Sequence, residues 1–141
     1  MGKKNILEEK VEARDFDRGG EVSSRLKTLL TRLNVDPEII RRASIIIYEL
    51  EMNIIIHSQG GEIVVSIEKE ELQVEAKDRG PGIEDVDQAL RPGFSTADQD
   101  IRRMGFGAGM GLNNVEKYSD GLEIHSEEGT RVLSIVRLPG G

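Results

Sequence analysis

The chain has 141 residues, a length suited to one domain with a sizeable core. A formal charge of −7 argues against a nucleic-acid or acidic-membrane surface, both of which require clustered Lys and Arg. The absence of Cys excludes disulfides and thiolate metal sites, and fits a reducing, cytoplasmic setting.

The opening stretch, "MGKKNILEEK", is basic for two residues and then acidic. No apolar run follows it, so no signal peptide is expected. Ile6 stands where a myristoylation motif needs Ser or Thr. No apolar stretch is long enough to span a bilayer. Aromatic residues make up 4% and Trp is absent, so the core must be built from Ile, Leu and Val.

Ile6, Leu7, Val11 and Ala13, set among charges, predict a first strand over about 5–13. "DFDRGG" reads as a turn. Val22, Leu26, Leu29, Leu30 and Leu33 recur at helical spacing, and an amphipathic helix over about 20–34 follows, ending near Asn34. In "NVDPEII", Asp36 can cap and Pro37 suits the first helical position. The helix they begin runs to about 57 or 58 and stops at Gly60 and Gly61. It is apolar on nearly every side, which predicts burial. "EIVVSIE" (62–68) and "LQVEAKD" (72–78) read as strands. Residues 79–107 form a long irregular stretch, with a short helix at "EDVDQAL". "GMGLNNVEKYS" reads as a helix, and "GLEIHSE" and "RVLSIVRL" as final strands around "EEGT". Short strand-to-strand links favour an α+β fold: a two-layer sandwich, with a mostly antiparallel (mixed) sheet covered by helices on one face. Residues 1–141 are expected to form a single domain.

Three features carry possible chemistry. Glu49, Asn53 and His57, at i, i+4 and i+8, make one polar stripe on the greasy helix. A solvated stripe is one reading. The other is a functional pair: Asn53 supplies a hard oxygen ligand of the kind Mg²⁺ prefers, and Glu49, one turn earlier, accepts a proton. In "GFGAGMGL", Gly105, Gly107, Gly109 and Gly111 alternate into a helix start. They suit either a hinge or a loop whose N–H groups cradle phosphates. The run lacks the Gly-Lys-Ser/Thr ending of a P-loop and the third glycine spacing of a dinucleotide motif. Asp78, ahead of the tight turn "RGPG", either caps that turn or presents a carboxylate to an exocyclic amine such as that of adenine.

Together these stretches resemble the ATPase superfamily shared by gyrase, the large ATP-driven chaperone, histidine kinases and mismatch-repair ATPases. "YELEMNIIIHS", "DRGPGI" and "GFGAGMGL" resemble its three boxes, and "EEGTRV" its final segment, so the likeness covers about residues 35–138. The chain shows no dimerising hairpin with a phosphoacceptor His, which points away from a complete sensor histidine kinase. "GFSTA" and "ELEMNIIIHSQGGEI" look most like the small branch of anti-sigma factors and switch-protein serine/threonine kinases.

The resemblance implies a Bergerat-type sandwich that binds ATP and Mg²⁺. In it Glu49 would be the general base, Asn53 the Mg²⁺ ligand and Asp78 the adenine reader, and Thr130 would stand near the adenine. Gly80 and Gly82 would shape the adenine pocket, and Gly105, Gly107, Gly109 and Gly111 would line the phosphates. The lid would span about 84–104. Its Arg102 and Arg103 either reach phosphates or are solvated. The activity implied is transfer of the ATP γ-phosphate to a Ser or Thr of a small antagonist-type regulatory protein. The alternative is an ATP-gated module that grips a sigma factor or another regulator; a third is an ATPase accessory subunit. A homodimer is among the assemblies the resemblance allows; nucleic acid and membrane are not expected partners. One departure stands out: Glu51 lies between the box Glu and Asn, where the branch carries small or uncharged residues. It is expected to face away from the nucleotide.

Overall fold

The computed structural model describes residues 3–80, 111–127 and 129–139. The expected short helix at 84–90, the lid, Gly82, Arg102, Arg103 and the glycines at 105, 107 and 109 lie outside the described residues.

Strand β1 spans Lys4–Val11. A 3-10 turn at Phe16–Arg18 and Gly20, at φ +93°, lead into helix α1, Glu21–Arg32. Asn34 sits at φ +57° just past its end. Helix α2, Pro37–His57, starts as the sequence dictates. Asp36 Oδ1 accepts from the Glu38 N–H at 2.9 Å, and Pro37 fills the first turn, where its missing N–H is no loss. It ends where Ser58 Oγ donates to the Ile54 carbonyl at 2.7 Å and Gly60 turns left-handed at φ +106°.

Strands β2 (Gly61–Glu68) and β3 (Glu71–Asp78) follow as a hairpin. Helix α3 spans Gly111–Tyr118, and strands β4 (Gly121–Glu127) and β5 (Gly129–Arg137) close the chain. The sheet order is β1-β2-β3-β5-β4. All four pairings are antiparallel, so among the described residues the sheet is not mixed. Gly61, expected as part of the helix stop, is instead the first residue of β2 and pairs with Asp78.

Strand alternation sorts the sheet into two faces. Ile63, Val65, Leu72, Val74, Ala76, Val132 and Val136 are buried, and share one core with Ile46, Ile47, Leu50, Ile54 and Ile55 of α2. Each fully buried Ile or Leu contributes about 1.5–3 kcal/mol relative to exposure, which is why this aromatic-poor chain needs so many of them. The opposite face carries the row Glu62, Lys77, Arg131 and His125, all exposed. Leu26 and Leu30 of α1 and Leu112 and Val115 of α3 join the core from either side of α2. The central helix is therefore contacted by the other two described α-helices and by the sheet, which explains its nearly continuous apolar surface. No described helix is long and apolar enough to cross a membrane.

Candidate functional site

Burial on most of α2 leaves a narrow margin for polar groups. Glu49, Asn53 and His57 occupy it, each half-buried. They are neither freely solvated nor sealed. Burial raises the proton affinity of Glu49, and a hydrogen bond from the Asn114 side chain of α3 partly offsets this. Burial, with the positive Arg14 nearby, holds His57 below its ordinary range.

Glu51, two residues on, points elsewhere. It is 2% exposed, and its carboxylate accepts the Val22 N–H at 3.2 Å and the Ser23 N–H at 3.5 Å, with the Gly20 N–H as a further donor. It therefore caps α1, whose own N-cap, Gly20, has no side chain to offer. Burial still raises its proton affinity, against the pull of these N–H groups. Glu51 thus turns to the start of α1 rather than along the Glu49–Asn53 stripe, and its role there is structural.

The turn after β3 is clipped to the end of α2. Gln59 N–H donates to the Arg79 carbonyl at 2.6 Å, and Arg79 N–H to the Gly60 carbonyl at 2.8 Å. Gly80 packs over Ser58, where an added Cβ would lie an ordinary 3.6 Å from Ser58 Cα. Asp78 is thereby brought to the helix that bears Glu49 and Asn53. Its Oδ1 accepts the Thr130 N–H at 2.9 Å. Burial raises the Asp78 carboxyl above its usual range, and the Thr130 N–H opposes the rise. Asp78 and Thr130, 52 residues apart in sequence, are direct neighbours. Gly111 opens α3 one turn before Asn114.

Two glycines that sequence reasoning placed in a helix stop and a turn let neighbouring backbone close on Asp78. A Cβ on Gly61 would lie 2.1 Å from the Lys77 carbonyl oxygen and 2.8 Å from Asp78 Cα. A Cβ on Gly129, which sits at φ +119°, would lie 2.4 Å from the Asp78 carbonyl oxygen. Both contacts are with backbone, which cannot swing aside. Gly61→Ala is expected to cost about 2 kcal/mol by overpacking and to displace the Asp78 strand end. Thermal melting checks the first effect, and nucleotide affinity, lowered together with it, checks the second.

Asn114 and Arg42 were also missed. Arg42 donates from Nε and Nη2 to the Tyr118 carbonyl at 3.0 and 2.7 Å, capping α3. In sequence Asn114 is one of two adjacent Asn in a short amphipathic helix; the cue was its place one turn after Gly111.

These residues suit an adenine nucleotide. A half-buried carboxylate stands at a strand end, glycines let the neighbouring backbone close on that end, and a helix clipped to it carries a carboxylate and an amide in line. Comparisons with known proteins identify the family. Residues 38–140 match the family described as histidine kinase-, DNA gyrase B-, and HSP90-like ATPase. The chain is 30% identical over 140 residues to an anti-sigma F factor of Clostridium acetobutylicum, covering 94% of each chain. It is 33% identical over 100 residues to the serine/threonine-protein kinase RsbT of Bacillus subtilis, covering 67% of this chain and 69% of that one. In fold it is similar to the RsbU and RsbW domains of a Mycobacterium tuberculosis protein, with a TM-score of 0.62 at 15% identity. That match covers 94% of this chain but spans about a third (32%) of the larger one. The SiaB–SiaC complex of Pseudomonas aeruginosa also gives a TM-score of 0.62, at 13% identity, over 94% of this chain and 90% of the other. The chain belongs to the histidine kinase-, DNA gyrase B-, and HSP90-like ATPase family, in its branch of anti-sigma factors and switch-protein serine/threonine kinases.

Proposed function

We propose that the chain is an ATP- and Mg²⁺-dependent serine/threonine protein kinase that phosphorylates a small antagonist-type regulatory protein in the cytoplasm. The observation that supports this reading is the clip between the Asp78 turn and the end of α2, which sets the strand end bearing Asp78 beside the end of the helix that bears Glu49 and Asn53.

In this reading Asp78 accepts from the exocyclic amine of adenine, with Thr130 beside it. Gly80 and Gly82 shape the adenine pocket, and Gly105, Gly107, Gly109 and Gly111 line the phosphates with backbone N–H groups. Asn53 offers its amide oxygen to Mg²⁺, which when bound neutralises charge on the phosphates. Glu49 takes the proton from the hydroxyl of a partner Ser or Thr. That oxygen bonds to the γ-phosphorus as the bond to the bridging oxygen breaks and ADP leaves. Glu49 then returns its proton to water. A carboxylate whose proton affinity is raised by burial is better matched to this task than a solvated one.

Asn53→Ala is expected to abolish Mg²⁺-dependent nucleotide binding, as read by titration with and without the metal. Unchanged affinity would remove Asn53 from the metal site. A second reading has its own support, because relatives named anti-sigma F factor predominate among the similar proteins. In it, ATP sets a shape that grips a sigma factor or another regulator, and transfer is incidental. The net charge of −7 suits a basic partner. Incubation with γ-labelled ATP and candidate partners separates the two. The kinase moves label to a Ser or Thr, whereas the gripping module forms an ATP-dependent complex and leaves its partner unlabelled.

A further inference from the structure

We propose that Arg42 is a positioning residue for phosphate binding: it ties the C-terminal end of α3 to α2 and β5, and so sets where the N-terminal end of α3 meets the ATP phosphates. The proposal rests on the reading of Gly111 as part of the phosphate-lining edge.

Helix α3 cannot place itself. It has 8 residues, too few to persist alone in water, so tertiary contacts must set its position. Leu112 and Val115 bury one face in the core. Apolar contact is non-directional, so it fixes a helix along its own axis less sharply than a hydrogen bond does.

Directional contacts gather at the C-terminal end, over three consecutive residues. Arg42, on the second turn of α2, donates from Nε and Nη2 to the Tyr118 carbonyl at 3.0 and 2.7 Å. Ser119 Oγ donates to the Val115 carbonyl at 2.5 Å and accepts from the Ser134 hydroxyl at 2.5 Å. Ser134 is fully buried on β5, where an unpaired hydroxyl would be costly. Asp120 Oδ2 pairs with Arg42 Nη2 at 3.2 Å and accepts the Arg137 N–H at 2.7 Å. The Asp120 N–H donates to the Ile135 carbonyl at 2.8 Å. Arg42 is the member of this node that reaches α2, the helix bearing Glu49 and Asn53.

An ordinary cap would not do this. No residue directly after α3 turns left-handed, so the helix lacks the usual glycine stop. A cap from the end of α3 itself would satisfy the Tyr118 carbonyl and leave the helix loose. A cap supplied by α2 also fixes the two helices against each other. The planar guanidinium holds the carbonyl through two N–H groups, a geometry that Lys cannot copy. Its charge stands at the negative end of the α3 dipole, and the positive end is the one offered to phosphate. Gly111 lies seven residues before Tyr118, about 10.5 Å along the axis. A hydrogen-bonded helix this short moves as a unit, so a shift at 118 arrives at 111.

Nucleotide titrations followed by NMR, well below the melting midpoint of each variant, test this. The two ligands are ATP with Mg²⁺, and adenosine, which has no phosphate. Arg42→Ala is expected to weaken ATP binding about tenfold and adenosine binding less than about twofold. Arg42→Lys, which keeps the charge without the fork, is expected to recover part of the loss. Asp120→Asn, a milder change that keeps an oxygen for the Arg137 N–H, is expected to weaken ATP binding about threefold and to spare adenosine. It decides the matter should Arg42→Ala not fold. A lower melting midpoint with unchanged ATP affinity in Arg42→Ala would make Arg42 a structural cap and overturn the proposal. Equal weakening of both ligands would overturn it too, because the adenine end would then be disturbed as much as the phosphate end. If the unmodified chain binds neither ligand, or binds ATP no better than adenosine, the reading of the phosphate edge fails and this proposal falls with it.

Discussion

Replacing Glu49 with Gln is expected to lower phosphoryl transfer by about a thousandfold while ATP still binds. Loss of a positioned general base costs on the order of 10² to 10⁴ in rate. Gln keeps an oxygen for Asn114 and the volume of the side chain, so packing against α3 survives. The variant has a second, opposite signature. Burial raises the Glu49 carboxyl above its ordinary range. A group whose folded-state proton affinity is raised contributes stability that is complete below the unfolded pKa, near 4.3 for Glu to about half a unit, and that is lost as pH rises through the folded one. Gln does not titrate. Between those two values and above them, the wild type therefore loses stability that the variant keeps. At neutral pH Glu49→Gln is expected to melt no lower than the wild type. The gap should close as the pH is taken below the carboxylate range. A variant that is inactive and also much less stable at neutral pH would mean that Glu49 is a structural group.

Glu51 gives the opposite result. Glu51→Ala is expected to destabilise the fold by about 3 kcal/mol, a melting loss on the order of ten degrees for a domain of this size. The reason is local. The Gly20, Val22 and Ser23 N–H groups at the start of α1 are served by this one carboxylate from another helix. Ala removes their acceptor and leaves a void in a position that is 2% exposed. Glu51→Gln keeps an accepting oxygen and sheds the buried charge, so it should cost less than half as much. Denaturant melts of the two variants side by side make the comparison. Equal losses would mean that charge rather than capping is what the site needs. Nucleotide affinity, measured on folded protein, should be little changed in either, because Glu51 faces α1 rather than the Glu49–Asn53 stripe.

How far the sequence could be read follows from the range of each interaction. The span of α2 was plain because its signals are local: Asp36 and Pro37 at one end, glycines at the other, and Ile between. The direction of Glu51 was also legible, since two residues along a helix turn about 200°. The pair Asp78 and Thr130 could be placed near one another only through the family resemblance, because the hydrogen bond joins different strands. Gly61 was misread as part of the helix stop. Its real constraint, the Lys77 carbonyl across the hairpin, depends on a strand register that no local pattern states. Asn114 and Arg42 act between helices far apart in sequence, and neither stands out in its own segment. The sheet's uniformly antiparallel order likewise depends on long-range pairing, with β3 beside β5 rather than β4.

Calorimetric titration of the folded chain with ATP and Mg²⁺ tests the central claim most directly. Saturable heat, lost when the magnesium is withheld or when Asn53 is replaced, is the result expected of a site assembled from Glu49, Asn53, Asp78 and the glycine-lined edge. No heat from well-folded protein at any attainable nucleotide concentration would contradict it, and both the kinase and the partner-gripping readings would fall with it.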